Sequence, residues 1–181
     1  AIRVSKTVIQ SDIAGLSVLF LTADEPSRPR DQVTTVFDGQ QTLVVWREKG
    51  GAATILVGLT FQDGAARPAS APFSVATGFS EKETMHLASD GKTGSLLVWA
   101  DTATLVRGIR AKFLSRESLS AGEPAVKPTD PRNGIQIAQT KWSQANPTVA
   151  FANDQASYFV AWSSLQNTND SALVGSFIAL D

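Results

Sequence analysis

The side chains that most often perform catalysis or bind metal ions are sparse in this sequence. His86 is the only histidine, and the chain contains no cysteine. One histidine cannot supply the several nitrogen or sulfur ligands of a zinc site. No Gly-x-Ser-x-Gly motif is present to suggest a serine nucleophile. We therefore predict a structural role for His86, no catalytic, cofactor-binding or metal-binding residues, and a protein that is not an enzyme.

Acidic residues recur at one type of position. Asp38, Asp90 and Asp154 each stand in a polar turn between two apolar runs. An aspartate in such a turn accepts hydrogen bonds from the backbone amides that follow it, whereas calcium needs more oxygen ligands in one place. The pattern therefore favours turn formation over a calcium site.

Tryptophan recurs in the same way and is the other residue type that could bind a ligand. Trp46, Trp99 and Trp162 each end a short apolar run, with the sequences TLVVW, LLVW and FVAW. The first interpretation is packing between layers of a core. The alternative is a row of aromatic faces at one rim that stacks on carbohydrate.

The tryptophans mark a repeated unit of about fifty residues. From the turn aspartate to the tryptophan the spacing is 8, 9 and 8 residues, and the tryptophans are 53 and 63 residues apart. The longer gap contains a polar stretch over 115–134 with three prolines, which we interpret as an insertion. We assign three repeats to 33–80, 81–143 and 144–181, and an N-terminal strand and connection to 1–32.

Short strands account for almost all of the apolar segments. No apolar period of 3.6 residues is sustained, so helical repeats are disfavoured. Runs that are apolar at consecutive positions indicate strands covered on both faces. The predicted strands are Ile2–Thr7, Val18–Thr22, Val33–Phe37, Thr42–Trp46, Ile55–Phe61, Pro72–Ala76, Thr84–Ala88, Ser95–Ala100, Val106–Leu114, Ile135–Gln139, Thr148–Ala152, Tyr158–Ser163 and Ala172–Leu180.

A period near fifty with four strands per unit is typical of a propeller blade. We therefore predict an all-β fold with three four-stranded propeller-type blades. The third unit has three predicted strands, and we expect the N-terminal strand Ile2–Thr7 to complete this last blade.

The units resemble the repeats of secreted bacterial β-propeller proteins. In those repeats an Asp-Gly turn precedes a Leu-Val-Val-Trp strand, and a glycine-containing strand follows. The matching residues are Asp38-Gly39, Leu43–Trp46, Gly58 and Asp63-Gly64 in the first unit, Asp90-Gly91, Leu97–Trp99 and Gly108 in the second, and Phe159–Trp162 with Gly175 in the third. The resemblance covers about residues 33–181 and implies a fold, not an activity. It also implies an extracellular or periplasmic location, including the cell surface.

Three blades are too few for a closed ring, which typically has about 4–8. An open stack would leave apolar blade faces exposed. We therefore expect a second chain or missing sequence to close the ring. The predicted function is a non-catalytic exported interaction or structural module. It would assemble through its blade faces with itself, as a homo-oligomer, or with a partner protein chain.

The alternative function is a carbohydrate-binding propeller lectin. The predicted ligand or partner face consists of Trp142 and Phe79, in the connections between units, with Arg47 and Lys49 nearby. Sixteen basic and seventeen acidic residues give a net charge of −1, which does not provide the positive field that nucleic acid requires. The longest apolar stretch, residues 16–23, is too short to span a membrane.

Overall fold

The computed structural model describes residues 2–7, 18–23, 30–50, 53–62, 69–70, 72–77, 84–101, 107–120, 134–138, 140–166 and 170–179. Over these ranges the chain forms thirteen strands and one short helix. The strands are β1 (Ile2–Thr7), β2 (Val18–Ala23), β3 (Arg30–Phe37), β4 (Gln41–Gly50), β5 (Ala53–Gln62), β6 (Phe73–Thr77), β7 (Met85–Ser89), β8 (Gly94–Asp101), β9 (Gly108–Ser115), β10 (Ile135–Ala138), β11 (Ser143–Ala152), β12 (Ser157–Leu165) and β13 (Ser171–Ala179), and the helix is α1 (Arg116–Ser120).

The strands form four antiparallel sheets, each built from strands that follow one another in the chain. The first sheet contains β3 to β6, the second sheet β7 to β10, and the third sheet β11 to β13. The pair β1–β2 forms a separate two-stranded sheet. The predicted all-β class is confirmed, and each predicted strand overlaps one of the observed strands.

The expectation for the N-terminal strand needs correction. The N-terminal strand β1 does not complete the third sheet, because Ile2 pairs with Ala23 and Thr7 pairs with Val18 of β2. Pairing with a strand a few residues away closes a shorter loop than pairing with the far end of the chain, and therefore costs less entropy. The predicted insertion over 115–134 begins with helix α1, whose Leu119 is buried in the core. Its residues 121–133 lie outside the described part of the chain.

The sheets stack in chain order. Strand β3 contacts β7, and β7 contacts β11, so the first strands of the three sheets lie together. One apolar cluster fills the space between the first and second sheets, and another fills the space between the second and third sheets. Every residue of β8 is consequently buried. For this strand the prediction of cover on both faces is confirmed.

The tryptophans fix the direction of this stacking. Side chains alternate between the two faces of a strand, so each sheet has a tryptophan face and an opposite face. Trp99 belongs to the cluster shared with the first sheet, and Trp162 to the cluster shared with the second. Each of these tryptophan faces therefore packs on the opposite face of the preceding sheet.

The aspartate turns have the predicted chemistry in the first two sheets. Asp38 Oδ1 accepts hydrogen bonds from the amides of Gln40 (2.9 Å) and Gln41 (2.8 Å). Asp90 Oδ1 accepts equivalent bonds from the three residues Lys92, Thr93 and Gly94. Gly39 and Gly91 have φ values of 92° and 72°, which favour glycine.

Strand pairing shows which residues are equivalent between repeats. The residue before the tryptophan pairs with Gly58 in the first sheet and with Gly175 in the third. In the second sheet the corresponding partner of Val98 is Ala111, whereas Gly108 pairs with Asp101. The predicted correspondence of Gly108 with Gly58 and Gly175 is therefore wrong by three positions.

A β-bulge also recurs. The register shifts between Asp31 and Thr34, opposite Trp46, and between Ala145 and Thr148, opposite Trp162. Each bulge contains a residue with a positive φ, 51° at Gln32 and 50° at Asn146. The first and third sheets therefore share a backbone irregularity that the sequence pattern did not reveal.

Candidate functional site

Arg47 and Lys49, two of the predicted site residues, lie near the end of β4. The guanidinium of Arg47 is buried and forms a two-point ion pair with Asp31, with Nε 2.5 Å from Oδ1 and Nη2 2.5 Å from Oδ2. This fork geometry is specific to arginine and carboxylate groups. The structure thus gives Arg47 a partner within its own sheet.

Asp31 is the acidic member of this charged cluster. The hydrogen bond from Arg47 lowers the pKa of its carboxyl group, burial opposes that effect, and the charges of Arg47 and Lys49 lower the pKa further. The carboxylate is therefore ionised at neutral pH. The ion pair of Arg47 with Asp31 joins the start of β3 to the end of β4, next to the bulge at Gln32.

Trp142 lies in the bend before β11 and is 37% exposed. Its amide donates to Thr140 Oγ1 (3.1 Å), its carbonyl accepts from Gln144 Nε2 (2.8 Å), and Lys141 Nζ lies 4.8 Å from the ring centroid. These contacts belong to the third sheet, whereas those of Arg47 belong to the first. Phe79, the remaining predicted site residue, lies outside the described residues.

The other three tryptophans are core residues. Trp46, Trp99 and Trp162 are at most 9% exposed. Trp99 and Trp162 lie in the clusters between sheets, which confirms the first interpretation for these two residues. The indole Nε1 of Trp46 donates to Glu48 Oε1 (3.1 Å), and that of Trp162 donates to Gln144 Oε1 (2.6 Å). Both indole N–H groups are thus satisfied inside the protein.

A different surface stands out on the third sheet. We call it the open face: the side of β11, β12 and β13 that points away from the second sheet. Its large apolar side chains are exposed, with values of 91% for Leu173, 53% for Phe177, 41% for Leu165 and 40% for Phe159. The residues that alternation and pairing place on it are Ser143, Ala145, Thr148, Ala150, Ala152, Ser157, Phe159, Ala161, Ser163, Leu165, Ser171, Leu173, Gly175, Phe177 and Ala179. None of them is charged.

The centre of the open face is an aromatic pair. Phe159 and Phe177 are cross-strand partners, and their ring centroids are 4.9 Å apart. A Cβ atom added at Gly175 would lie 2.6 Å from the ring of Phe159, so this ring covers the glycine. The two rings are therefore held in place by their own sheet before any contact with another molecule.

Pairing identifies the counterparts of these residues in the second sheet. Phe159 and its partner Phe177 correspond to Leu96 and Phe113, because Phe159 and Leu96 each lie three residues before the tryptophan. In the same way Leu173, the partner of Ser163, corresponds to Ile109, the partner of Ala100. Leu96 and Ile109 are both 0% exposed and belong to the cluster with the third sheet. The open face is thus the counterpart of a face whose Leu96 and Ile109 are covered by another sheet.

Sequence patterns indicated this surface only in part. We predicted that some blade faces need cover, but we did not predict which residues form those faces. Alternation in β12 and β13 together with the lack of charge on one face could have identified it.

Two other kinds of feature, metal-ligand clusters and membrane-spanning helices, were considered within the described ranges. No three histidine, cysteine, aspartate or glutamate side chains there come together as metal ligands. In the same residues, none of the helices has the length and apolar character needed to cross a membrane. Comparison of the chain with protein-family models, with curated proteins and with solved structures finds no match.

Proposed function

We propose that this protein is a non-catalytic interaction module of the propeller type that assembles through the open face of its third sheet. The face would dock on a further sheet, supplied by another copy or by a partner chain. The observation that carries the proposal is the contrast between Leu173, 91% exposed, and its counterpart Ile109, 0% exposed. A position that is buried in one repeat and exposed in the next indicates a surface that lacks its cover.

The propeller type is supported by the arrangement of the sheets. Three meander sheets follow one another in chain order, their first strands lie together, and each tryptophan face packs on the preceding sheet. A closed propeller has about 4–8 such sheets, so this stack requires more. The location proposed with it is extracellular or periplasmic, following the resemblance to repeats of secreted bacterial proteins.

The size of the open face also supports docking. Three strands of about nine residues make a face of roughly 30 by 14 Å, or about 400 Å². Apolar patches of this size are often functional in monomeric proteins. Covering the face with another sheet would remove its phenylalanine and leucine side chains from water, which is the main driving force of association.

The test is a double variant, Leu173→Ser with Phe177→Ser. Loss of two large apolar contacts is expected to weaken association at least about 100-fold, since each is worth about 1.5–3 kcal/mol. Sedimentation of the wild-type chain is expected to show at least twice the chain mass, and the double variant is expected to be a monomer. Val33→Ser is the matched control, because Val33 is 72% exposed on the first sheet.

Binding of a hydrophobic dye distinguishes the two sources of cover. A monomeric wild type that binds the dye, with binding lost in the double variant, means that the face is free for a partner chain. A monomeric wild type whose dye binding is unchanged by the double variant contradicts the proposed function.

Carbohydrate binding is the second candidate, and the exposed ring of Trp142 is the observation that favours it. An exposed indole can stack on a sugar ring, and Lys141 beside it can donate hydrogen bonds to hydroxyl groups. On a glycan array the wild type would bind selected glycans and Trp142→Ala would lose at least about tenfold in affinity, roughly 1.4 kcal/mol. Equal array profiles for the two proteins would reject this candidate.

A further inference from the structure

We infer that the open face is covered by the tryptophan face of the first sheet of a second copy, so that two chains close a ring of six sheets. This inference rests on the proposed function and names the partner of the same surface. Each chain would contribute one face of each kind, and the ring would contain two identical junctions. Each junction joins two different surfaces of the chain, and the closed pair has two-fold symmetry, because the same two surfaces meet at both junctions.

The chain itself shows the packing rule twice. The tryptophan face of the second sheet covers the opposite face of the first sheet, and the tryptophan face of the third covers the opposite face of the second. Among the three stacked sheets, as far as the chain is described, this rule leaves two faces without a partner sheet. One is the open face, and the other is the tryptophan face of the first sheet, which contains Val44 and Trp46 of β4. A third use of the same rule joins these two faces, and within one chain they belong to the first and last sheets of the stack.

The tryptophan face of the first sheet is less covered than its counterparts. Thr42 and Val44, four and two residues before Trp46, are half-buried. Their counterparts are Ser95 and Leu97 in the second sheet and Tyr158 and Val160 in the third, and these four residues are at most 2% exposed. Trp46 itself is already 9% exposed, whereas Phe37, the strand partner of Thr42, is 51% exposed. Docking would therefore add cover mainly at Phe37, Thr42 and Val44.

The buried area favours this arrangement over two open faces packed on each other. A same-face dimer buries two faces of about 400 Å² each, close to the area of an ordinary crystal contact. A closed ring buries four faces, about 1,600 Å², which is the standard size of a specific interface. Charge is also compatible, because the open face carries no charged residue, and Glu48 and Arg30 on the tryptophan face of the first sheet form an ion pair with each other.

The internal junction predicts which residues meet. Phe113 on the second sheet packs edge-on against Tyr158 on the tryptophan face of the third, with ring centroids 6.4 Å apart. Phe177 is the counterpart of Phe113, and Thr42 is the counterpart of Tyr158. In the ring, Phe177 of one copy therefore faces Thr42 of the other.

Cross-linking tests this pairing directly, because the wild-type chain has no cysteine. Phe177→Cys and Thr42→Cys are made separately, mixed, and treated with a bis-maleimide that spans the roughly 10 Å between packed sheets. The mixture is expected to give a covalent dimer about 100-fold faster than either variant alone, since held thiols have millimolar effective concentrations. Gln155→Cys, in the exposed turn between β11 and β12, replaces Thr42→Cys in the control mixture and is expected to give no product above background.

Each other outcome has a defined meaning. A covalent dimer from Phe177→Cys alone means that open faces pair with each other, which overturns the inference but leaves the proposed function in place. The inference is also overturned if Phe177→Cys gives no product with Thr42→Cys and none with Val44→Cys. Circular dichroism must show in this case that the cysteine variants are folded. The dye measurement on the Leu173→Ser and Phe177→Ser variant then shows separately whether the proposed function survives.

Discussion

Replacing Tyr158 with alanine is expected to lower the free energy of unfolding by about 3–5 kcal/mol, the usual cost of removing a large buried side chain. Tyr158 is 0% exposed and is the central contact between the second and third sheets. Its ring packs edge-on against Phe113 and Phe151, with centroid distances of 6.4 and 4.9 Å. Its loss leaves a cavity at the junction that holds the third sheet in place.

The free energy of unfolding is measured in urea with dilute protein. Two further variants, one at the same position and one at the next, are the controls. Tyr158→Phe removes the hydrogen bond to the carbonyl of Gly94 (3.3 Å), and this carbonyl also accepts from Ser89 and Asp90. That variant is expected to cost about 1 kcal/mol. Phe159→Ala, one residue on but on the open face, is expected to cost less than half as much as Tyr158→Ala. A larger loss for Phe159→Ala would contradict the assignment of the two faces.

Asp38→Ala is expected to lower the free energy of unfolding by about 3 kcal/mol, and Asp90→Ala by about 1 kcal/mol. The two aspartates have the same turn role, but Asp38 is buried and also pairs with Arg116, whose Nε lies 3.0 Å from Oδ2. Arg116 Nη2 in addition donates to the carbonyl of Asp38. Loss of the carboxylate leaves this largely buried guanidinium without its counter-ion. Equal losses for the two variants in denaturant unfolding would contradict the role of Arg116.

The dependence on pH checks the same pair. Burial raises the pKa of Asp38, but the amides of Gln41 and Gln40 and the Arg116 guanidinium more than offset this, and the net pKa lies below its ordinary value of 3.8. A lowered pKa means that the stabilisation is complete above the unfolded value and is lost as the pH falls through the folded value. Unfolding free energy is therefore expected to fall more steeply below about pH 4 in the wild type than in Asp38→Asn. If the unfolding free energies of the wild type and Asp38→Asn change in parallel with pH, the lowered pKa of Asp38 is contradicted.

Sequence patterns were sufficient to predict the strands. The spacing of apolar residues and the chemistry of turns depend on residues that are close together in the chain. The run LLVW at Leu96–Trp99 indicated cover on both faces, and β8 is buried throughout. Turn aspartates were interpreted correctly at Asp38 and Asp90, since their hydrogen bonds reach only the next few residues.

The register of the strands, and the face of the sheet on which each residue lies, could not be predicted from local sequence patterns. Glycine at Gly108 suggested a repeat position, but strand pairing places Ala111 there and pairs Gly108 with Asp101. The predicted strand began at Thr148 and therefore did not include the bulge between Ala145 and Thr148, which bears Pro147. Arg47 was placed near the predicted ligand face, and that prediction stays open. Its ion pair with Asp31, its partner in the strand register beside the bulge, depends on three-dimensional pairing and was not predicted.

The recurring bulges at Gln32 and Asn146 have a consequence for polymerisation. Two unlike complementary faces add copies head to tail without limit unless the rotation per copy divides a full circle, and otherwise the product is a helical fibre. Bulges increase the twist of the strands that contain them, so these two backbone irregularities help to set that rotation. In the proposed ring, the left-handed conformations of Gln32 and Asn146 would thereby help to separate a finite particle from a growing filament.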